Sequence, residues 1–93
     1  MKKNGIKVEF EAYLYLQELG HKQRTGKELS DTFKARLKQN YDRYWLNGRE
    51  LCDGDLGGAK NGKSVLWTCK DMKRYLDEAG LKYSECEIEI FGL

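Results

Sequence analysis

The sequence predicts a small α+β domain: a single-layer, mostly antiparallel sheet with two helices on one face, in the order β-α-β-α-β. Two segments, one near the start of the chain and one at its end, alternate apolar and polar residues with the period of two that is typical of a half-buried strand. Two other segments repeat apolar residues at steps of three and four, the period of an amphipathic helix. The 93 residues are enough for one hydrophobic core, so we expect a single compact domain over residues 1–93.

The first alternating segment spans residues 6–16 and is predicted to be a strand or hairpin. A helix over residues 10–19 is the alternative, because Ala, Leu, Glu and Gln favour helices and Gly20 could cap one. Wound as a helix, the segment would direct its apolar side chains all round the axis, which favours the strand. The apolar residues at every second position are Ile6, Val8, Phe10, Ala12, Leu14 and Leu16.

A loop over residues 20–26 and a first helix over residues 27–46 are predicted next. Asn47 and Gly48 tolerate the left-handed backbone that closes helices and tight turns, so they mark the end of this helix. Residues 48–64 are glycine-rich and predicted to be irregular, with a hairpin turn signal at Asn61-Gly62. The apolar residues at helical spacing are Leu29, Phe33, Leu37, Tyr41, Tyr44 and Trp45.

The second helix is predicted to begin after a short β-prone run at residues 65–67. Thr68 and Asp71 have the spacing of a capping box, and Gly80 stands where a C-terminal cap belongs. The final strand covers residues 85–91, and one of its two faces is expected to be exposed and acidic. That strand alternates Cys86, Ile88 and Ile90 with Glu85, Glu87 and Glu89.

Composition favours a folded cytoplasmic protein without a cofactor, metal site or catalytic set. Mean hydropathy is −0.79, no apolar run approaches the roughly 20 residues of a membrane span, and the start of the chain lacks a signal-peptide core. Cys52, Cys69 and Cys86 are odd in number and contain no C-x-x-C pair, which predicts reduced thiols. The lone histidine, His21, has no identifiable nucleophile to activate.

Charge is unevenly distributed along the chain, although the net charge is only +2. Residues 21–49 hold eight Lys or Arg against three acids, whereas residues 77–93 hold five acids against one Lys. Nucleic-acid binding by the first helix is therefore one hypothesis, since cations can contact phosphates and nearby rings can stack on bases. The cations in question are Lys34, Arg36, Lys38 and Arg43.

The string Gly57 to Ser64 satisfies the letter pattern G-x-x-x-x-G-K-[ST] of a nucleotide-binding P-loop. A P-loop follows a buried strand and precedes a helix that starts at the Lys-Ser pair. The residues before Gly57 make a poor strand, and the capping box at Thr68 places the next helix too late. A hairpin turning at Asn61-Gly62 is the favoured interpretation, and nucleotide binding is the weakest of the functional hypotheses.

Binding to a larger protein is the favoured functional hypothesis. The glutamates of the last strand would stand about 6.8 Å apart, a fixed row of negative charge suited to a basic groove. Tyr13, Tyr15 and Trp45 are candidate surface aromatics beside Glu85, Glu87 and Glu89. The concrete version is a phage or mobile-element inhibitor that occludes a nucleic-acid-handling or CRISPR-like defence enzyme.

Overall fold

A computed structural model describes residues 2–89 of the chain. It confirms an α+β fold with mostly antiparallel strands, and it adds a third helix and a separate hairpin to the predicted order. The elements are β1 (Lys2–Val8), α1 (Phe10–Thr25), α2 (Asp31–Tyr44), β2 (Arg49–Leu51), β3 (Gly57–Lys60), β4 (Lys63–Leu66), α3 (Cys69–Ala79) and β5 (Ser84–Glu89).

The main sheet has three antiparallel strands in the order β2-β1-β5. Ile6 of β1 lies opposite Leu51 of β2 on one side and opposite Glu85 of β5 on the other. Residues opposite one another in an antiparallel pair point to the same face. Ile6 and Leu51 pack in the core with residues of α1 and α3, so this is the face that the helices cover.

Helix α1 corrects the prediction for residues 6–16. The strand is right up to Val8 and wrong from Phe10 onward, where the alternative helical interpretation is confirmed. Apolar side chains all round the axis do not argue against this helix, because the sheet, α2, α3 and the hairpin contact it from several sides. Ala12 and Leu16 are buried in the core. The alternation of apolar and polar residues from Phe10 to Leu16 therefore does not mark a strand.

The predicted loop over residues 20–26 is also wrong, because α1 continues to Thr25 and is capped by Gly26 with φ 73°. Gly20 is a close-packing position inside the helix. A β-carbon there would collide with the carbonyl oxygen of Gly57 in β3. Arg24 donates a hydrogen bond of 2.6 Å to the same oxygen. The last two turns of α1 therefore pack against β3, which forms a hairpin with β4.

The hairpin β3–β4 confirms the turn predicted at Asn61-Gly62, where both residues have positive φ (53° and 76°). Residues 48–64, predicted to be irregular, contain β2 and β3 as well as the start of β4. These strands are only three or four residues long, and half of β3 is glycine, which leaves no periodic pattern to recognise. Pairing with β1 defines β2, and pairing with β4 defines β3.

Helix α3 and strand β5 match their predictions. The backbone N–H of Asp71 donates to Thr68 Oγ1 (3.1 Å), the N–H of Thr68 donates to Asp71 Oδ2 (3.2 Å), and Gly80 caps the other end with φ 72°. Met72 and Leu76 are fully buried. Strand β5 is described to Glu89, so the last predicted strand residues, Ile90 and Phe91, lie outside the described range.

Candidate protein-binding surface

Helix α2 was predicted to span residues 27–46, but it starts only at Asp31. Its start is fixed by Ser30, which caps the helix by accepting a 3.2 Å hydrogen bond from the N–H of Phe33. Tyr41 attaches it to the rest of the protein. This side chain is 7% exposed, and its hydroxyl donates a 3.0 Å hydrogen bond to the carbonyl of Val8. Its ring meets Phe10 edge to face, with centroids 5.4 Å apart. Burial is the main cause that raises the pKa of Tyr41.

The two lysines of the predicted basic set are paired within the chain. Lys34 Nζ lies 3.0 Å from Glu18 Oε1, and this hydrogen bond raises the pKa of Lys34. Lys38 Nζ lies 3.0 Å from Asp42 Oδ1 and 4.9 Å from the centroid of the Phe10 ring. The carboxylates neutralise both cations, which weakens the hypothesis of a phosphate-binding helix.

An apolar stripe runs along the outer side of α2. At about 100° per residue, Phe33, Leu37 and Tyr44 fall within about 40° of one another. Phe33 is 44% exposed and Tyr44 is 66% exposed. Arg36 and Arg43 lie about 60–80° to one side of Phe33, along the solvent edge. We call Phe33, Leu37 and Tyr44 the α2 stripe. Neither Arg36 nor Arg43, the two arginines beside it, forms an ion pair within residues 2–89.

The stripe borders a cleft of about 260 Å³. Leu37 and Tyr44 line it from α2, and Tyr13 lines it from α1. Trp45, immediately after the helix, and Arg49, at the start of β2, complete its walls. The next residue after Trp45, Leu46, is 80% exposed.

Arg49 is held between aromatic rings in this cleft. Its guanidinium carbon lies 4.1 Å from the centroid of the Trp45 ring and 5.5 Å from that of Tyr13. Its Nε atom is buried and has no hydrogen-bond partner within residues 2–89. The structure therefore brings together two of the predicted aromatics, Tyr13 and Trp45, through a residue that sequence reasoning counted only as one charge among eight.

The third predicted aromatic, Tyr15, lies apart from the cleft. It lines a different surface pocket with Leu19 of α1 and Glu28 of the following loop. Sequence reasoning missed Arg49 because Tyr13, one of the two rings that hold it, is 36 positions away. Phe33 and Tyr44 were recognised as apolar but assigned to the core, since helical spacing does not tell which face finds a partner.

The glutamate row of β5 is exposed but is not a bare negative array. Its register opposite Ile6 places Glu85 on the face covered by helices, where Lys73 of α3 forms an ion pair with it. That lysine lowers the pKa of Glu85. Glu87 Oε2 lies 3.8 Å from Lys2 Nζ, and Glu89 is opposite Lys2 in the register. The row is thus a strip of mixed charge.

The P-loop string does not form a strand–loop–helix unit. Residues 57–60 and 63–66 are the paired strands β3 and β4, and Lys63 and Ser64 begin a strand instead of a helix. The ladder between the strands uses backbone groups that a phosphate cradle would need. The hairpin interpretation of Gly57 to Ser64 is confirmed.

The three cysteines are free thiols, and burial is the main cause that raises the pKa of each. Their thiolate forms are accordingly scarce at neutral pH. Within residues 2–89, no three His, Cys, Asp or Glu side chains are grouped closely enough to hold a metal ion. No helix in the same range has the length and apolar character to cross a membrane. Comparison with known protein families, with curated proteins and with solved structures found no match to this chain.

Proposed function

We propose that this chain is a non-enzymatic binding protein that acts by occupying a surface of a larger protein. The observation that carries the proposal is the exposure of Phe33 and Tyr44 along α2, next to an aromatic cleft that Tyr44 helps to line. Leaving apolar area in water costs about 25 cal/mol per Å², and a contiguous apolar surface with a charged rim is typical of an interaction site.

The composition of the surface also favours protein binding. Trp, Tyr and Arg are the residues that most often dominate the energy of protein interfaces. Arg49 contacts the rings of both Tyr13 and Trp45, and side chains that are already in contact lose less freedom on binding. A rigid aromatic cleft next to an exposed stripe gives a partner both an anchor point and a flat contact area.

The more specific proposal is inhibition of a nucleic-acid-handling or CRISPR-like defence enzyme by a phage or mobile-element protein. It relies on Glu85, Glu87 and Glu89 entering a groove made for phosphates. The pairing of Glu85 with Lys73 and of Glu87 with Lys2 reduces the charge that the row offers. The α2 stripe with its cleft is therefore the better-supported contact surface.

A comparative pull-down from the native host tests the proposal. The whole chain, its variant Phe33→Ser with Tyr44→Ser, and its variant Glu85→Gln with Glu87→Gln are immobilised, and retained proteins are quantified by mass spectrometry. We expect a partner that the wild type retains, that the stripe variant loses and that the glutamine variant keeps. That partner, purified, should form a complex of fixed stoichiometry by size exclusion with light scattering.

Both variants change exposed side chains and are expected to fold, which circular dichroism and melting curves check. If the stripe variant retains every protein that the wild type retains, the α2 stripe is not the contact surface. Loss of the partner from the glutamine variant instead would favour the glutamate row. Turnover of a substrate by the pure protein would contradict a purely binding role.

Nucleic-acid binding is the second candidate, because Arg36 and Arg43 have no ion-pair partner within residues 2–89. Electrophoretic shifts at low and moderate salt test it, since the affinity of a phosphate-binding surface falls steeply as salt rises. The informative variant is Arg36→Glu with Arg43→Glu, and Lys34→Glu with Lys38→Glu is its comparison. Absence of a shift at every salt concentration would eliminate this candidate.

A further inference from the structure

We propose that the cleft beside α2 receives a carboxylate from an acidic amphipathic helix of the partner, and that Arg49 is the residue that binds it. The inference deepens the proposed function and rests on it, since it names the chemistry of the partner at the same surface. Three features support it: Arg49 has no ion-pair partner within residues 2–89, unpaired arginines lie beside the α2 stripe, and the stripe itself is apolar.

Arg49 has no counter-charge among residues 2–89. No ion pair includes it within residues 2–89, and its buried Nε finds no acceptor there. The guanidinium carbon lies over the rings of Trp45 (4.1 Å) and Tyr13 (5.5 Å). Nε is buried, so the terminal N–H groups of the guanidinium are the ones proposed to meet a partner. A carboxylate matches this edge because its two oxygens can accept two parallel hydrogen bonds.

The arginines beside the α2 stripe also favour a partner that carries carboxylates. Lys34 and Lys38 are neutralised by Glu18 and Asp42. Arg36 and Arg43, two turns apart, are separated by about 10.5 Å along α2. Carboxylates at positions i and i+7 of a partner helix have the same separation, so such a helix can lie along α2 and meet both arginines.

The apolar character of the α2 stripe favours a protein helix over a nucleic acid as the partner. Round the helix axis, Phe33 lies between the arginines and Leu37, which lines the cleft. An apolar ridge of leucines or aromatics on a partner would cover both residues. A sugar-phosphate backbone would leave them in contact with charged groups or water. A second copy of this chain is also disfavoured, because a two-fold contact centred on the stripe would bring Arg36 of one copy towards Arg43 of the other.

Peptide selection provides the test. A displayed library of random peptides of about 16 residues, enough for four helical turns, is selected on the immobilised whole chain. We expect enriched peptides with apolar residues at helical spacing and Asp or Glu on both sides of that ridge. Synthetic versions are then measured by fluorescence anisotropy. Arg49→Met should weaken their binding about tenfold or more, and Arg49→Lys should restore only part of it.

Arg49→Met could also disturb the cleft, so the Arg49→Lys chain keeps the charge while removing the planar fork, and melting curves are recorded for both. Enriched peptides without acidic residues, or acidic peptides that bind Arg49→Met as tightly as the wild type, would overturn the inference. So would an empty selection, tight binding of a single-stranded oligonucleotide to the cleft, or self-association abolished by Phe33→Ser with Tyr44→Ser. Loss of the host partner from the stripe variant alone would still support the proposed function.

Discussion

The hydroxyl of Tyr41 donates a 3.0 Å hydrogen bond to the backbone carbonyl of Val8, joining helix α2 to the last residue of the central strand. The same residue is the one buried side chain of α2. Leu37, Tyr44 and Phe33 lie about 40°, 60° and 80° round the helix axis from Tyr41, so the α2 stripe flanks the attached side of the helix. The bond therefore fixes the position of the α2 stripe relative to Arg49, which pairs with Val8 in the sheet.

Tyr41→Phe should destabilise the protein by about 1–2 kcal/mol, because it leaves the buried Val8 carbonyl without this donor while it keeps the ring contacts. Urea denaturation followed by tryptophan fluorescence measures the loss. Tyr44→Phe is the matched control, since Tyr44 is 66% exposed, and its effect should stay within about 0.5 kcal/mol. Equal effects of the two changes would show that the hydrogen bond contributes little.

Gly20→Ala should destabilise the protein by about 1–3 kcal/mol, although alanine is the better helix former by about 1 kcal/mol. The added methyl group meets the Gly57 carbonyl, which belongs to rigid paired backbone. Hydrogen exchange at the amide of Ala59, which donates to Gln23, should become faster. Gln39→Ala, on the exposed side of α2, is the control and should have little effect. A more stable Gly20→Ala protein would contradict the close packing.

The Glu85 carboxyl should titrate below its ordinary pKa of 4.5, because the ion pair with Lys73 favours the charged form. A lowered pKa in the folded state stabilises the fold above the unfolded value, and that contribution disappears as pH falls through the folded value. The carboxyl ¹³C shift of Glu85, followed by NMR from pH 7 to pH 2, reports the titration. Lys73→Met should move the midpoint back towards 4.5; an unmoved midpoint would remove the lysine as the cause.

ATP with magnesium should leave the melting temperature unchanged at millimolar concentration, because Lys63 and Ser64 belong to a hairpin strand. A ligand that binds the folded state alone raises the melting temperature, and the stabilisation grows with the logarithm of its concentration divided by its Kd once that ratio exceeds one. Differential scanning fluorimetry measures this, with Lys63→Ala as the comparison. A rise seen in the wild type and cancelled in Lys63→Ala would restore the nucleotide-binding hypothesis for residues 57–64.

Local signals predicted the hairpin turn and helix α3 well. The capping box of Thr68 and Asp71, the Gly80 cap and the turn at Asn61-Gly62 each depend on residues a few positions apart, so they can be recognised in the chain. Helix α1 could not be recognised in the same way. Its apolar residues are buried by elements from distant parts of the sequence, which removes the single apolar face that helix prediction needs.

The candidate site was predictable only in pieces. Tyr13 and Trp45 were expected at the surface for their residue type, and the structure places both at one cleft. Arg49 had no local signal, because a stacked guanidinium is defined by rings on two other parts of the chain. The glutamate row was predicted from its alternation, but Lys73 lies on a neighbouring helix, so its neutralising effect on Glu85 required the fold.

The position of β5 at the border of the three-stranded sheet has a consequence for self-assembly. A border strand presents unpaired backbone groups that can recruit another strand and start aggregation. Glu85, Glu87 and Glu89 set a charge at every second residue of that strand, and an incoming copy would bring the same charges against them. Even if these glutamates contact no partner, their charges oppose the pairing of β5 with the same strand of another copy.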